Sequence, residues 1–179
     1  MEQSNESLIL KSKNWNVLKN EIVKYNQSKQ GAIFEDFTEY LIKTNPLFYN
    51  YNIKNIWNFR HREIPLNVLK YLNLAPEDEG IDLIIETKDY KYLAIQCKFH
   101  ENENYSISRN DLATCLDTTF NIGKNIDSLY VISNCNSYSF KFEKLNYPLG
   151  KITFLLNDFI TEKGEEKFQN VKNYILNKK

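Results

Sequence analysis

The sequence predicts a single α/β domain, and three observations carry that expectation. The chain has 179 residues, a length that suits one domain with a core of its own. Apolar residues recur at helical spacing at both ends. Between them lie apolar runs with the period-two alternation of strands. No internal repeat, low-complexity tract or linker interrupts the chain.

Residues 7–27 carry Trp15, Leu18, Ile22 and Tyr25 at helical spacing, which predicts one amphipathic helix. "SKQGAIFEDFTEYLIKTNP" follows, with Ile33, Phe34, Phe37, Tyr40 and Leu41 as an apolar stripe. Asn45-Pro46 ends it, because the residue before proline is pushed out of the helical region. Glu35, Asp36 and Glu39 lie off the densest part of that stripe. "YNYNIKNIWNFRHREIP" reads as a strand or irregular arm that turns basic at Arg60-His61-Arg62. "VLKYLNLAPEDEG" reads as a short helix or turn, with Glu77, Asp78 and Glu79 as a solvated acidic loop.

"GIDLIIETKDYKYLAIQCKF" reads as two strands, about 81–86 and 91–99, joined by a short polar turn. "SISRNDLATCLDTTFNI" reads as a helix, with Ser108 and Asp111 spaced as a capping box. "SLYVISN" is a buried strand. "KITFLLNDFI" is another, leading to a C-terminal helix with Phe168, Val171 and Ile175 on one face.

Charge gives no global argument for nucleic acid: 23 basic and 23 acidic residues cancel. A nucleic-acid partner must therefore be met by a local patch. Cys97, Cys115 and Cys135 are odd in number and widely spaced, which argues against zinc and against a disulfide framework. Reduced thiols, no signal peptide and no apolar run of membrane-spanning length point to a cytoplasmic protein with no membrane partner.

The stretch "KYLAIQCKFH" raises the chemical question. As a strand it sends Leu93, Ile95, Cys97 and Phe99 to one face, and Ala94, Gln96 and Lys98 to the other. A short connection makes the two strands antiparallel neighbours, so Asp82 falls at the same sheet end as Gln96 and Lys98. A carboxylate, an amide and an ammonium converging there suit a metal-dependent phosphodiesterase. Asp82, the Gln96 side-chain oxygen and the Cys97 backbone carbonyl are oxygen donors for a hard cation such as Mg²⁺. Lys98 can orient or help deprotonate a water and stabilise the transition state.

These blocks carry a resemblance. "GIDL" followed by "AIQCK" resembles the active-site hairpin of the PD-(D/E)xK nuclease superfamily. The Asp then Gln-x-Lys variant is similar to Mrr-like restriction endonucleases. "GAIFEDFTEYL", "GIDLII" and "YLAIQCKF" together resemble the N-terminal nuclease domain of type ISP restriction-helicase polypeptides, over about residues 29–135.

The resemblance implies a restriction-endonuclease-like core, a central mixed β-sheet flanked by helices in the order αβββαβ. It implies 1–28 as an N-terminal helical extension, 29–135 as the nuclease core and 136–179 as a C-terminal strand and helix. Asp82 becomes the metal-binding aspartate, Glu35 the first-helix glutamate that completes the metal site, and Lys98 the catalytic lysine. Gln96 stands where Asp or Glu is usual, which removes one negative charge. Ile81 stands where a proline is usual.

The implied activity is Mg²⁺-dependent hydrolysis of DNA phosphodiester bonds, with Mn²⁺ able to substitute. The implied partners are DNA, a helicase, translocase or specificity subunit or fused domain, and a second copy of the chain for double-strand cleavage. Two alternatives stand: a catalytically decayed module kept for DNA binding or assembly, and a structure-specific DNA or RNA nuclease. Arg60 and Arg62, beside Trp57 and Phe59, and Arg109 and His100, beside the Lys98 strand and the next helix, are candidate nucleic-acid contacts.

Overall fold

A computed structural model describes residues 3–77, 80–139 and 151–178. Asp78 and Glu79 of the acidic loop, and the 140–150 part of the C-terminal segment, lie outside the described residues. The chain opens with three helices, α1 (Asn5–Lys11), α2 (Trp15–Ile22) and α3 (Gln27–Thr44). The expected single helix over 7–27 is therefore two, followed by the start of a third. Ser4, Asn14 and Asn26 each cap a new N-terminus, their side chains accepting from Ser7, Val17 and Lys29 backbone N–H groups.

After a one-turn helix, α4 (Pro46–Tyr49), comes β1 (Ile53–Asn58), so the ambiguous arm is a strand that ends in a 3₁₀ turn at Phe59–His61. Helix α5 (Leu66–Leu72) leads to the hairpin β2 (Leu83–Thr87) and β3 (Tyr92–Lys98). Then follow β4 (Ser106–Ile107), α6 (Arg109–Asp117) with a π-helical turn at Thr118–Ile122, β5 (Ser128–Ser133) and β6 (Ser137–Tyr138). The described chain closes with β7 (Ile152–Leu155), α7 (Asn157–Thr161) and α8 (Gly164–Asn177).

Five strands form one mixed sheet in the order β1-β2-β3-β5-β7. β1, β2 and β3 are antiparallel neighbours; β5 and β7 run parallel to β3. β4 and β6 form a separate parallel pair. A parallel connection needs a crossover, and α6 supplies it between β3 and β5. The order α3, β1, β2, β3, α6, β5 is the expected αβββαβ arrangement of a restriction-endonuclease-like fold.

Each sheet face buries its own cluster. Leu93, Ile95 and Cys97 join Leu83 and Ile85 against Phe34, Phe37 and Leu41 of α3, with Leu18 of α2 and Phe168 of α8. Ala94 and Ile84 face the other way, against Leu112, Cys115 and Leu116 of α6 and Leu69 of α5. The period-two reading of β3 is thus correct residue by residue. α1 and α2 contribute Ile9, Trp15, Leu18 and Ile22 to the same cluster as α3. Among the described residues no helix is long and apolar enough to cross a membrane.

Candidate active site

The β2–β3 hairpin builds the site. Its register pairs Leu83 with Ile95, and the Asp82 backbone N–H donates to the Ile95 carbonyl at 2.9 Å. That bond extends the ladder by one residue and sets Asp82 at the level of Gln96. Asp82 and Gln96 are both buried, at 7% and 4% exposure. Buried polar groups need partners, and these two find each other. Asp82 Oδ2 accepts from the Gln96 amide nitrogen at 2.5 Å and from the Cys97 backbone N–H at 2.5 Å. The same amide nitrogen donates to the Cys97 carbonyl at 3.2 Å. Two oxygens, one from the residue just before β2 and one from β3, therefore converge on one nitrogen atom.

Lys98 ends β3 on the Gln96 side of the strand and is half-buried. It lines a hollow together with Asp111 of α6. Its carbonyl accepts from Ser133 Oγ at 2.6 Å. Two residues on, the His100 backbone N–H donates to Asn134 Oδ1 at 2.8 Å, and the Asn134 amide donates to the His100 carbonyl at 2.7 Å. Ser133 and Asn134 are fully buried. The end of β5 thus clamps the segment that leaves the site.

Behind the strand, burial pushes the Cys97 thiol far above its ordinary value, and the charges of Asp82 and Glu35 add to that rise. Both carboxylates therefore lie within electrostatic reach of one sulfur. Burial likewise pushes Cys115 up to about 12, with Lys98 opposing and Asp82 adding. Gly80, just before the site, has φ +89°, and a Cβ there would lie 2.9 Å from the Cys115 backbone nitrogen. Only glycine lets the chain enter β2 this close to α6.

Helix α6 presents its N-terminus to the same side. The expected capping box forms: Ser108 Oγ accepts from the Asp111 N–H, and Asp111 Oδ2 accepts from the Ser108 N–H at 2.7 Å. Tyr105 Oη and Ser108 Oγ also donate to Asp111 Oδ2, at 2.7 and 2.8 Å. Burial raises the Asp111 carboxyl, but these donors and the Lys98 charge outweigh it and hold the group below its ordinary value.

The structure brings together Asp82, Gln96 and the Cys97 carbonyl, with Lys98 beside them. The basic candidates are distributed otherwise. Arg60 Nε donates to Glu35 Oε2 at 3.1 Å and its Nη2 pairs with Asp36. Arg60 is thus tied to the carboxylates of α3. His61 Nε2 lies 3.1 Å from Asp36 Oδ1. Arg62 lines a separate hollow with Phe59, Ile64 and Leu69. Arg109 is exposed on the first turn of α6. His100 packs its ring on Tyr105, with centroids 4.1 Å apart and planes 7° apart.

Asp36, Glu39 and His61 also form a cluster whose ligand atoms lie within 4.8 Å of one another. Asp36 already accepts from Asn5 at 2.7 Å and from Arg60, which accounts for its burial there. Neither the Asp36–Arg60–His61 network nor the Ser133–Asn134 clamp is legible in the sequence. Their members are distant in the chain, and no local spacing signals them.

A family model described as a restriction endonuclease, of the Mrr catalytic type, matches residues 43–152. That span takes in β1 to β5 with Asp82, Gln96 and Lys98, and begins after Glu35. No curated protein sequence matches the chain. A crystal structure titled as a protein of unknown function, AF1548, is similar over 78% of this chain and 67% of its own, at 14% identity and a TM-score of 0.46. The family match covers more than half of the chain, and the chain belongs to the Mrr-like restriction endonuclease domains of the PD-(D/E)xK type.

Proposed function

We propose that the protein is a divalent-metal-dependent DNA endonuclease, with Mg²⁺ as its ion and Mn²⁺ able to replace it. The observation that carries this reading is the meeting of Asp82 Oδ2 and the Cys97 carbonyl at the Gln96 amide nitrogen. A nitrogen donor sits where two oxygen acceptors point, and a hard cation is drawn to the same pair of acceptors. A half-turn of the Gln96 amide exchanges its nitrogen for its oxygen. The three oxygens then form a set with one negative charge, which fits a cation that keeps several waters. The residues therefore fit the ion, with Asp82, Gln96 and Cys97 as ligands.

Glu35 completes the set from α3, once Arg60 yields it or shares it. When bound, the metal supplies Lewis-acid stabilisation and lowers the pKa of a coordinated water. Asp82 holds its carboxylate in place through the Cys97 N–H bond. Lys98 presents a positive charge to the phosphate oxygens and can orient the attacking water. Its backbone is anchored through Ser133, so the ammonium swings from a fixed stem.

DNA is the substrate this family implies. Arg62, Arg109 and His100 are the cationic or aromatic groups left to meet its backbone. The balanced net charge favours delivery by a motor or specificity partner, or pairing of two copies for double-strand cutting.

The test is cleavage of supercoiled, linear and single-stranded DNA with Mg²⁺, Mn²⁺ or EDTA, comparing the parent with Asp82→Ala and Lys98→Ala. Metal-dependent cutting lost in both variants is expected. Cutting that survives both would sink the assignment of this site. Folded parent protein that neither cuts nor takes up Mn²⁺ favours a decayed DNA-binding module.

A further inference from the structure

Beside Lys98 lies a cavity of about 270 Å³, walled by Lys98, His100, Tyr105, Ile107, Asp111 and Cys135. It is smaller than the roughly 300–1,000 Å³ typical of pockets for drug-sized ligands. Ile107 and Cys135 are buried and give it an apolar floor. His100 and Tyr105 both line it and stack face to face, at 7°, so each covers one face of the other and an outer ring face of the pair serves as a flat aromatic wall. Both rings are held in place: His100 by the Asn102 backbone N–H, which donates to its Nδ1 at 3.1 Å, and Tyr105 by the bond of its hydroxyl to Asp111. A wall fixed before binding saves the entropy of ordering it.

We propose that this cavity takes one unpaired nucleobase of the DNA strand whose phosphate lies at Lys98. The proposal rests on the nuclease reading for the phosphate and adds a substrate class to it. Four features lead to a base: a flat aromatic wall, an apolar floor, a volume for one small ring system, and a polar rim of Asp111 and Lys98. Aromatic side chains stack on bases of any sequence, because every base has a π-face. A base inside a duplex is covered on both faces by its neighbours, so it must leave the stack to enter. The preferred substrate is therefore DNA with an unpaired nucleotide beside the cut: a flap, a bulge, a mismatch or a single strand.

The experiment measures binding by fluorescence anisotropy in Ca²⁺, so that it needs no cutting. Three labelled DNAs are compared: a continuous duplex, the same duplex with one central unpaired nucleotide, and that bulge made abasic. The parent should bind the unpaired base at least about tenfold more tightly than either control, the order expected for one stacked base. Tyr105→Ala and His100→Ala should bring that ratio close to one, and Tyr105→Phe, which keeps the ring, should retain it.

His100→Ala leaves the backbone bonds to Asn134 in place and keeps the test standing if Tyr105→Ala fails to fold. Equal binding of the bulged and abasic DNAs by the parent overturns the proposal. So does a ratio that survives in folded His100→Ala. Cutting of the same DNAs in Mg²⁺ is followed separately. Cutting without a base preference removes the pocket and leaves the nuclease; a base preference without cutting does the reverse.

Discussion

The Gln96 amide nitrogen stands 2.5 Å from Asp82 Oδ2, and both groups are buried. A neutral side chain there serves the metal-free protein, because a second carboxylate at that distance would repel Asp82. Gln96→Glu separates the two demands. Without metal the variant should melt below the parent, since one carboxyl must stay protonated or both must bear the repulsion. With Mg²⁺ or Mn²⁺ it should recover, and calorimetry should show metal affinity at least about tenfold higher, about 1.4 kcal/mol. Unchanged affinity would remove Gln96 from the ligand set.

Arg60 joins the 3₁₀ turn after β1 to Glu35 and Asp36 of α3. Removing it leaves the buried Asp36 carboxylate with Asn5 and His61. Arg60→Ala should cost about 1–3 kcal/mol in urea unfolding, the range for a lost charged hydrogen bond with a buried acceptor. It should also tighten metal binding if Glu35 serves the ion, because the competing guanidinium is gone. A variant as stable as the parent would make the pairing a surface contact only.

Acid should unfold the protein through two carboxyls. Burial raises both Glu86 and Asp111, but their donors prevail and both lie below their ordinary values, Glu86 through Lys54 and Asn55, Asp111 through Ser108 and Tyr105. A depressed folded pKa contributes stability that is present above the unfolded value and lost as pH falls through the folded one. The loss should therefore begin near pH 4 and deepen below it. Tyr105→Phe removes one donor to Asp111 and should flatten that slope in urea melts taken between pH 5 and 2. The opposite limb comes from the thiols. Cys115 is pushed up to about 12, so alkali ionises the unfolded chain first and lowers stability as pH rises above about 8.5.

Asn134 touches no proposed reacting group, yet it holds both backbone polar groups of His100. Asn134→Ala strips both bonds at a fully buried position and should cost about 1–3 kcal/mol. In protein still folded, cutting should fall while Mn²⁺ affinity stays at the parent value. Weakened metal binding would mean that the clamp supports Asp82 as well.

What the sequence disclosed was local. Alternation along "LAIQCK" gave the two faces of β3, and the short turn gave the level of Asp82 with Gln96, because neighbouring residues decide both. The Ser108–Asp111 cap was equally visible, being three residues long. The apolar period runs unbroken through the caps at Asn14 and Asn26, which is why the sequence predicts one N-terminal helix where the fold has separate ones. Arg60, a candidate nucleic-acid contact, belongs to a basic triplet that looks solvated in one dimension. Its carboxylate partners lie 25 and 24 residues away, a proximity only the fold creates. The His100–Tyr105 stack was hidden likewise, since two aromatic rings five residues apart in a loop have no fixed relation.

β3 is the middle strand of five, with an apolar layer on each face. Amide hydrogens in such a strand exchange only when the whole sheet opens. The groups that meet at Asp82 hang from that strand and its nearest neighbour, not from a loop that can fray on its own. Partial melting of the edges leaves them in register. Heat or denaturant should then remove the site in one step with the fold.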